Sequence, residues 1–207
     1  MAATRKCGSI FDRLAGIILM PLPLPTSRRA LKHTRTIQVE AFARDDGLWD
    51  LEARITDTKT SPIALEAGML PAGAALHDLS IRVTINRKFD ILDVAASSDA
   101  VPYRGHCDTI GPAYDQLVGL NLVKGFRFAL LGRMGGTAGC THLSELATVL
   151  PTAAIQAFAG EEFDPHTDQG KKPFQLDGCH ALRTDGPVVA KYYPRWAIEG
   201  LPAPEPV

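Results

Sequence analysis

Two stretches of alternating apolar and polar residues, each folded back across a turn, decide what kind of core this chain builds. Ile37, Val39 and Ala41 alternate with Thr36, Gln38 and Glu40; Arg44-Asp45-Asp46-Gly47 supplies a turn; Trp49, Leu51, Ala53 and Ile55 resume the alternation. Successive side chains of a strand point to opposite faces, so the pattern predicts a β-hairpin with one apolar and one polar face. Leu79, Ile81, Val83 and Ile85, a short Arg87-Lys88 connection and Phe89 to Val94 predict a second hairpin. Four antiparallel strands of this kind need a covering layer on one side.

The covering layer is expected from the second half, where the period changes. Pro112 suits the first turn of a short helix running to Leu120, and Phe126 to Arg133 reads as another. Leu143, Leu146, Ala147, Leu150, Ala154, Ala157 and Phe158 step at helical spacing, with Pro151 expected to kink or split that helix. A polar loop over 160–173 follows, and Val188 to Tyr193 predicts a last strand. The fold class is therefore α+β: an antiparallel sheet built from two hairpins plus a C-terminal strand, with helices packed on one face. Thr60 to Ala75, rich in proline, glycine and small residues, is a connector. The 207 residues suit one domain over 28–199, after a proline-rich leader over 1–27 that carries Pro21-Leu-Pro-Leu-Pro25, and before a flexible proline-rich tail over 200–207.

Charge narrows the partners. With 22 basic and 23 acidic residues, the chain has no global field favouring nucleic acid or an anionic membrane, so neither is expected. Arg5 and Lys6 precede an apolar patch that is continuous only from Leu14 to Met20, with no small-residue cleavage site after it. Neither a signal peptide nor a membrane helix is predicted. Four scattered cysteines do not make a disulfide framework, which points to a reducing cytoplasm.

The chemistry concentrates in Gly132-Arg-Met-Gly-Gly-Thr-Ala-Gly-Cys-Thr-His-Leu-Ser-Glu145. Glycines at 135, 136 and 139 allow tight turning and close approach to a ligand, and Thr141 suits the N-cap of the next helix. The loop thus delivers Cys140 and His142 to a helix start, where free amides and the dipole favour a thiolate or an anion. Three of the four cysteines lie within two residues of a histidine: His106-Cys107, Cys140-Thr-His142 and Cys179-His180. Cys and His are ligands for zinc, and Cys for iron–sulfur clusters, so Cys107, Cys140, His142 and Cys179 form a candidate metal set. Their spacing is not that of a zinc knuckle. The same groups suit metal-free nucleophilic or acid–base catalysis by Cys140, His142, Cys179 and His180, and packing of a small buried cysteine is the remaining reading. No glycine pattern for a nucleotide cofactor is present.

Arg133 and Arg104 are candidates to hold a substrate carboxylate, with Gly136 and Thr137 lining the same loop. Glu145, in the first helical turn, complements the dipole or serves as a general acid. Asp45, Asp46 and Asp50 read as turn chemistry, and Asp177-Gly178 as a turn aiming Cys179 and His180 inward. His33 and Arg35 read as surface residues at a strand start, while His77 and His166 fall in expected loops and are given no role. If the site is real, Cys107, Cys140 and Cys179 converge, and Cys7 stands apart in the leader.

His33-Thr-Arg-Thr-Ile37, Arg44-Asp-Asp-Gly-Leu-Trp-Asp50, Thr56-Asp-Thr-Lys59, Gly135-Gly-Thr-Ala-Gly-Cys-Thr-His-Leu143, Leu176-Asp-Gly-Cys-His180 and Tyr193-Pro194 together resemble a bacterial domain-of-unknown-function family, DUF2889. The resemblance spans residues 30–196 and implies a bacterial protein associated with catabolism of aromatic or acyl compounds. A fainter likeness is to iron–sulfur scaffold proteins, which also set one cysteine after a strand and one after a glycine at a helix start. The expected function is a lyase or hydrolase acting on a small carboxylated aromatic or acyl substrate. The alternatives are a zinc- or iron–sulfur-binding scaffold module using the same residues, and an interaction protein using the proline arms. Oligomeric state is left open, a homo-oligomer included.

Overall fold

The computed structural model describes residues 22–162, 170 and 172–198. Most of the expected leader, with Cys7, and the expected tail lie outside the described residues, as do His166 and much of the 160–173 loop. Two compact units divide after Lys32. In the first, Leu22 to Lys32 are irregular and exposed, with a bend at Thr26 and Ser27. The second begins at His33 and holds the sheet and helices.

Six strands form in this second unit: β1 (His33–Ala43), β2 (Trp49–Lys59), β3 (Ile63–Leu65), β4 (Gly68–Leu70), β5 (Ala75–Ile85) and β6 (Ile91–Ala100). The main sheet is antiparallel throughout, in the order β1-β2-β5-β6. Both expected hairpins are present, joined by pairing of β2 with β5, and the connector between them makes the small β3–β4 ribbon. Before β6, Asn86 Oδ1 accepts the N–H groups of Lys88 and Asp90, and Phe89 adopts a left-handed conformation. This closed turn delays the strand to Ile91.

Helices α1 (Phe126–Met134) and α2 (Thr141–Phe158) follow. The segment Gly111–Leu117 is a tighter 3₁₀ helix rather than an α-helix. Leu143, Leu146, Ala147, Leu150, Ala154 and Phe158 are buried with the inward row of β2 (Trp49, Leu51, Ala53, Ile55) and of β5 (Leu79, Ile81, Val83, Ile85). The result is α+β, with helices on one face of the sheet. Pro151 does not split α2, which continues past it. At the far end of α2, Phe158 stacks on Phe89 at 4.6 Å and packs against Trp49 at 4.9 Å, and Trp49 Nε1–H donates to Glu162 at 2.8 Å.

The expected C-terminal strand is corrected: Val188 to Tyr192 belongs to helix α3 (Pro187–Tyr192). Proline at the first helical position has its φ pre-set and loses no bond the helix needs. Ala190 and Tyr193 then donate to the carbonyls of Gly186 and Val189. Of the apolar residues in the segment only Val189 is buried, and a run this short cannot distinguish a period of two from one of 3.6.

Leu146 is fully buried beneath the sheet. Truncation to alanine is expected to cost about 2–5 kcal/mol in urea-induced unfolding. A loss below about 1 kcal/mol would mean that α2 does not pack as described.

Candidate functional site

Strand register builds the centre of the site. Arg35 of β1 lies directly opposite Asp57 of β2, and Asp57 directly opposite His77 of β5. Side chains opposite one another on neighbouring strands stand close enough to interact, so these three form a row across the sheet. Asp57 continues the inward series Trp49, Leu51, Ala53 and Ile55 and is itself 2% exposed. A carboxylate in that position needs partners. Arg35 supplies a fork, Nε donating to Oδ1 and Nη2 to Oδ2, both at 2.8 Å. His33 Nε2 bonds Oδ1 at 2.8 Å and His77 Nδ1 bonds Oδ2 at 3.1 Å.

The start of α2 covers this row. Arg35 Nη1 donates to Glu145 Oε2 at 2.6 Å, so a single guanidinium ties β1, β2 and α2 together. His142 stacks on His77 with ring centroids 3.9 Å apart, and its Nε2 lies 3.6 Å from Asp57 Oδ2. Cys140 Sγ lies 3.9 Å from the other nitrogen of the same ring, Nδ1. Cys140 itself takes the N-cap position expected of Thr141, with no side-chain capping bond. Its backbone is held by the buried Tyr114, whose hydroxyl accepts the Cys140 N–H at 3.0 Å, donates to the Cys140 carbonyl at 2.8 Å and meets Ser144 Oγ at 2.8 Å.

The electrostatics separate the acid from the bases. The Arg35 fork holds the Asp57 carboxyl far below the usual carboxylate range, with His33 adding to the effect against the opposing influence of burial. It therefore stays ionised and accepts from every donor around it. Burial pushes His77 down, against the attraction of Asp57. His142 is pushed down by burial, then by His77 and Arg35. Both imidazoles are thus biased toward the neutral form, which keeps a lone pair for a proton or a metal.

One nitrogen each of His77 and His142 and an oxygen of Asp57 lie within 4.8 Å of one another. Two imidazoles and a carboxylate are a donor set that zinc and other divalent transition metals accept. Arg35 and His33, on the far side of the carboxylate, have the orienting position of an outer ligand shell.

Beside the histidines opens a cavity of about 530 Å³, lined by His77, His142, Cys140, Cys107 and the apolar side chains discussed below. Three of the sequence-predicted residues, Cys107, Cys140 and His142, therefore share one cavity wall. Cys179 and His180 do not line it: both are exposed, and the Asp177-Gly178 turn points them outward. The Asp177 carboxylate is engaged instead with the Thr184 N–H at 2.8 Å and with Lys172 at 2.6 Å. Arg104 donates to the Asp99 carbonyl and Arg133 to the Gln116 carbonyl, and neither lines the cavity. Gly136 lines a separate hollow beside α1, and Thr137 is exposed. The loop glycines serve packing: a Cβ on Gly135 would stand 2.4 Å from the Leu131 carbonyl oxygen, and one on Gly139 2.5 Å from that of Met134. Asp57, His77, His33, Arg35 and Tyr114 are the site residues that sequence reasoning passed over.

A fold of this class, with a histidine–carboxylate centre where a sheet row meets a helix start, defines an α+β domain built around one polar cluster. The chain belongs to the DUF2889 family, described as a protein of unknown function, which matches residues 33–156. That span includes every residue of the cluster and both cavity thiols, and it ends before Cys179. No curated protein and no solved structure matches the chain. No helix among the described residues is long and apolar enough to cross a membrane.

The pairing of Asp57 with Arg35 has a measurable consequence. Arg35→Ala leaves a buried carboxylate short of two hydrogen bonds and is expected to cost about 1–3 kcal/mol, toward the low end because Arg35 is partly exposed to screening solvent. Arg54→Ala, which removes an exposed partner of Asp78, serves as the control and should cost far less. Equal losses of stability for the two variants in urea would contradict the buried role of Asp57.

Proposed function

We propose that the protein is a small-molecule enzyme, a hydrolase or lyase, whose centre is a divalent transition metal, zinc foremost, held by Asp57, His77 and His142. The observation that carries this reading is the convergence of two imidazole nitrogens and a carboxylate oxygen within 4.8 Å, with both imidazoles lining a cavity and the carboxylate buried behind them. Three protein ligands and an open fourth position are the arrangement of catalytic rather than structural zinc. Zinc so held polarises a substrate oxygen and makes bound water acidic. Arg35 and His33 fix the carboxylate, and the Tyr114 hydroxyl fixes the backbone that presents Cys140. A nitrogen- and oxygen-rich set suits zinc better than an iron–sulfur cluster, which takes thiolates, and among the described residues two thiols, Cys107 and Cys140, line this cavity.

A second reading is favoured by the thiol itself. Cys140 Sγ, the two nitrogens of His142 and Asp57 Oδ2 follow one another at 3.9 and 3.6 Å, the order of a nucleophile, a base and an orienting carboxylate. In this version His142 takes the Cys140 proton, the thiolate adds to an acyl carbon, the imidazolium returns the proton to the leaving group as its bond to that carbon breaks, and water then hydrolyses the thioester to free the thiol, with no metal.

Elemental analysis of the purified protein and titration with zinc decide between them. About one equivalent of metal per chain is expected, retained in a Cys140→Ser variant and lost when His77 and His142 are both changed to alanine. A protein that neither carries nor takes up zinc or another divalent transition metal sinks the first reading. Fast alkylation of Cys140, unchanged by a chelator, would then support the second.

A further inference from the structure

The walls of the cavity carry an argument of their own. Leu79, Val101, Pro102, Tyr103 and Ile110 line it, together with the exposed His106. No Lys, Arg, Asp or Glu is among the described lining residues. The guanidinium of Arg35 is committed to Asp57 and Glu145. A carboxylate entering this space would give up water and meet no lysine or arginine among the described lining residues. An uncharged apolar group would instead gain by leaving water, and 530 Å³ lies within the usual range for small-molecule sites.

We infer that the cavity holds the neutral apolar body of the substrate, an aromatic ring or a short acyl chain, with the reacting polar group turned toward His77, His142 and the Cys140 thiol. This rests on the enzyme reading above and narrows its substrate class: any charged group of the substrate lies outside the cavity, and Arg104 and Arg133 hold none inside it.

The three described cysteines provide the test. Cys107 and Cys140 line the cavity, whereas Cys179 is exposed and lies outside it. The full chain is treated in parallel with N-phenyliodoacetamide, a neutral aromatic alkylator, and with iodoacetate, a small anion. Labelling rates at each cysteine are read by peptide mass spectrometry and divided by the rate at Cys179, which cancels the intrinsic reactivity of each reagent. Cys107 and Cys140 are expected to prefer the phenyl reagent by about tenfold or more, the scale set by burying an aromatic ring. Val101→Arg places a cation in the apolar wall and is expected to shift the preference toward iodoacetate. Equal ratios at all three cysteines, preference for iodoacetate in the unmodified chain, or inertness of both cavity thiols to both reagents would each overturn the inference. The measurement is made with and without a chelator, alongside metal analysis. Absence of metal bears on the preceding reading alone, because the ratio of the two reagents reports the walls.

Discussion

A carboxylate buried on the core-facing side of a sheet is the constraint around which the rest of this structure is arranged. Asp57 stands where a fifth apolar side chain would continue the row begun by Trp49. Keeping it charged requires a guanidinium on one neighbouring strand and an imidazole on the other. Because the guanidinium has a nitrogen to spare, it also reaches Glu145 and fixes where α2 begins. The helix start in turn brings His142 over His77 and Cys140 beside His142. One uncompensated charge would be costly; compensated in this way, it becomes the organiser of a site.

The sheet and its covering helices were legible in the sequence, whereas most of the cluster was not, and the misses have identifiable causes. The alternation around the Arg44–Gly47 turn fixes the first hairpin. Continuing its register past Thr36 and Ile55 places Arg35 opposite Asp57. The available signal is Asp57, a charged residue in phase with an apolar run that the alternation follows only to Ile55. His77 was harder to find, since β5 starts at Ala75, within a glycine- and proline-rich connector, and pairs with β2 across the β3–β4 ribbon. No local pattern announces a pairing of that separation. Cys107, Cys140 and His142 stood out as scarce residues in close company. The same reasoning drew in Cys179 and His180, which the chain leaves on the surface. Scarcity marks candidates; only tertiary structure brings them together.

The glycine loop shows how one motif can serve two ends. Its glycines suggested a cradle for a ligand, yet two of them are required by the close passage of the chain over the carbonyls that end α1. That passage sets the position of Cys140, which the Tyr114 hydroxyl then holds from both its N–H and its carbonyl. The loop is therefore a bracket that sets the position of Cys140 and the start of α2.

β1 is an edge strand, paired only with β2, and Asp57 receives three of its four close hydrogen bonds from the first turn-free residues of that edge, His33 and Arg35. Strand ends fray before strand centres. Opening the first few rungs of this ladder would strip the carboxylate of most of its donors while leaving the apolar core closed. Charge balance at the cluster thus depends on the pairing of a strand terminus, and without those rungs His77 would be left as the carboxylate's remaining close hydrogen-bond partner among the described residues.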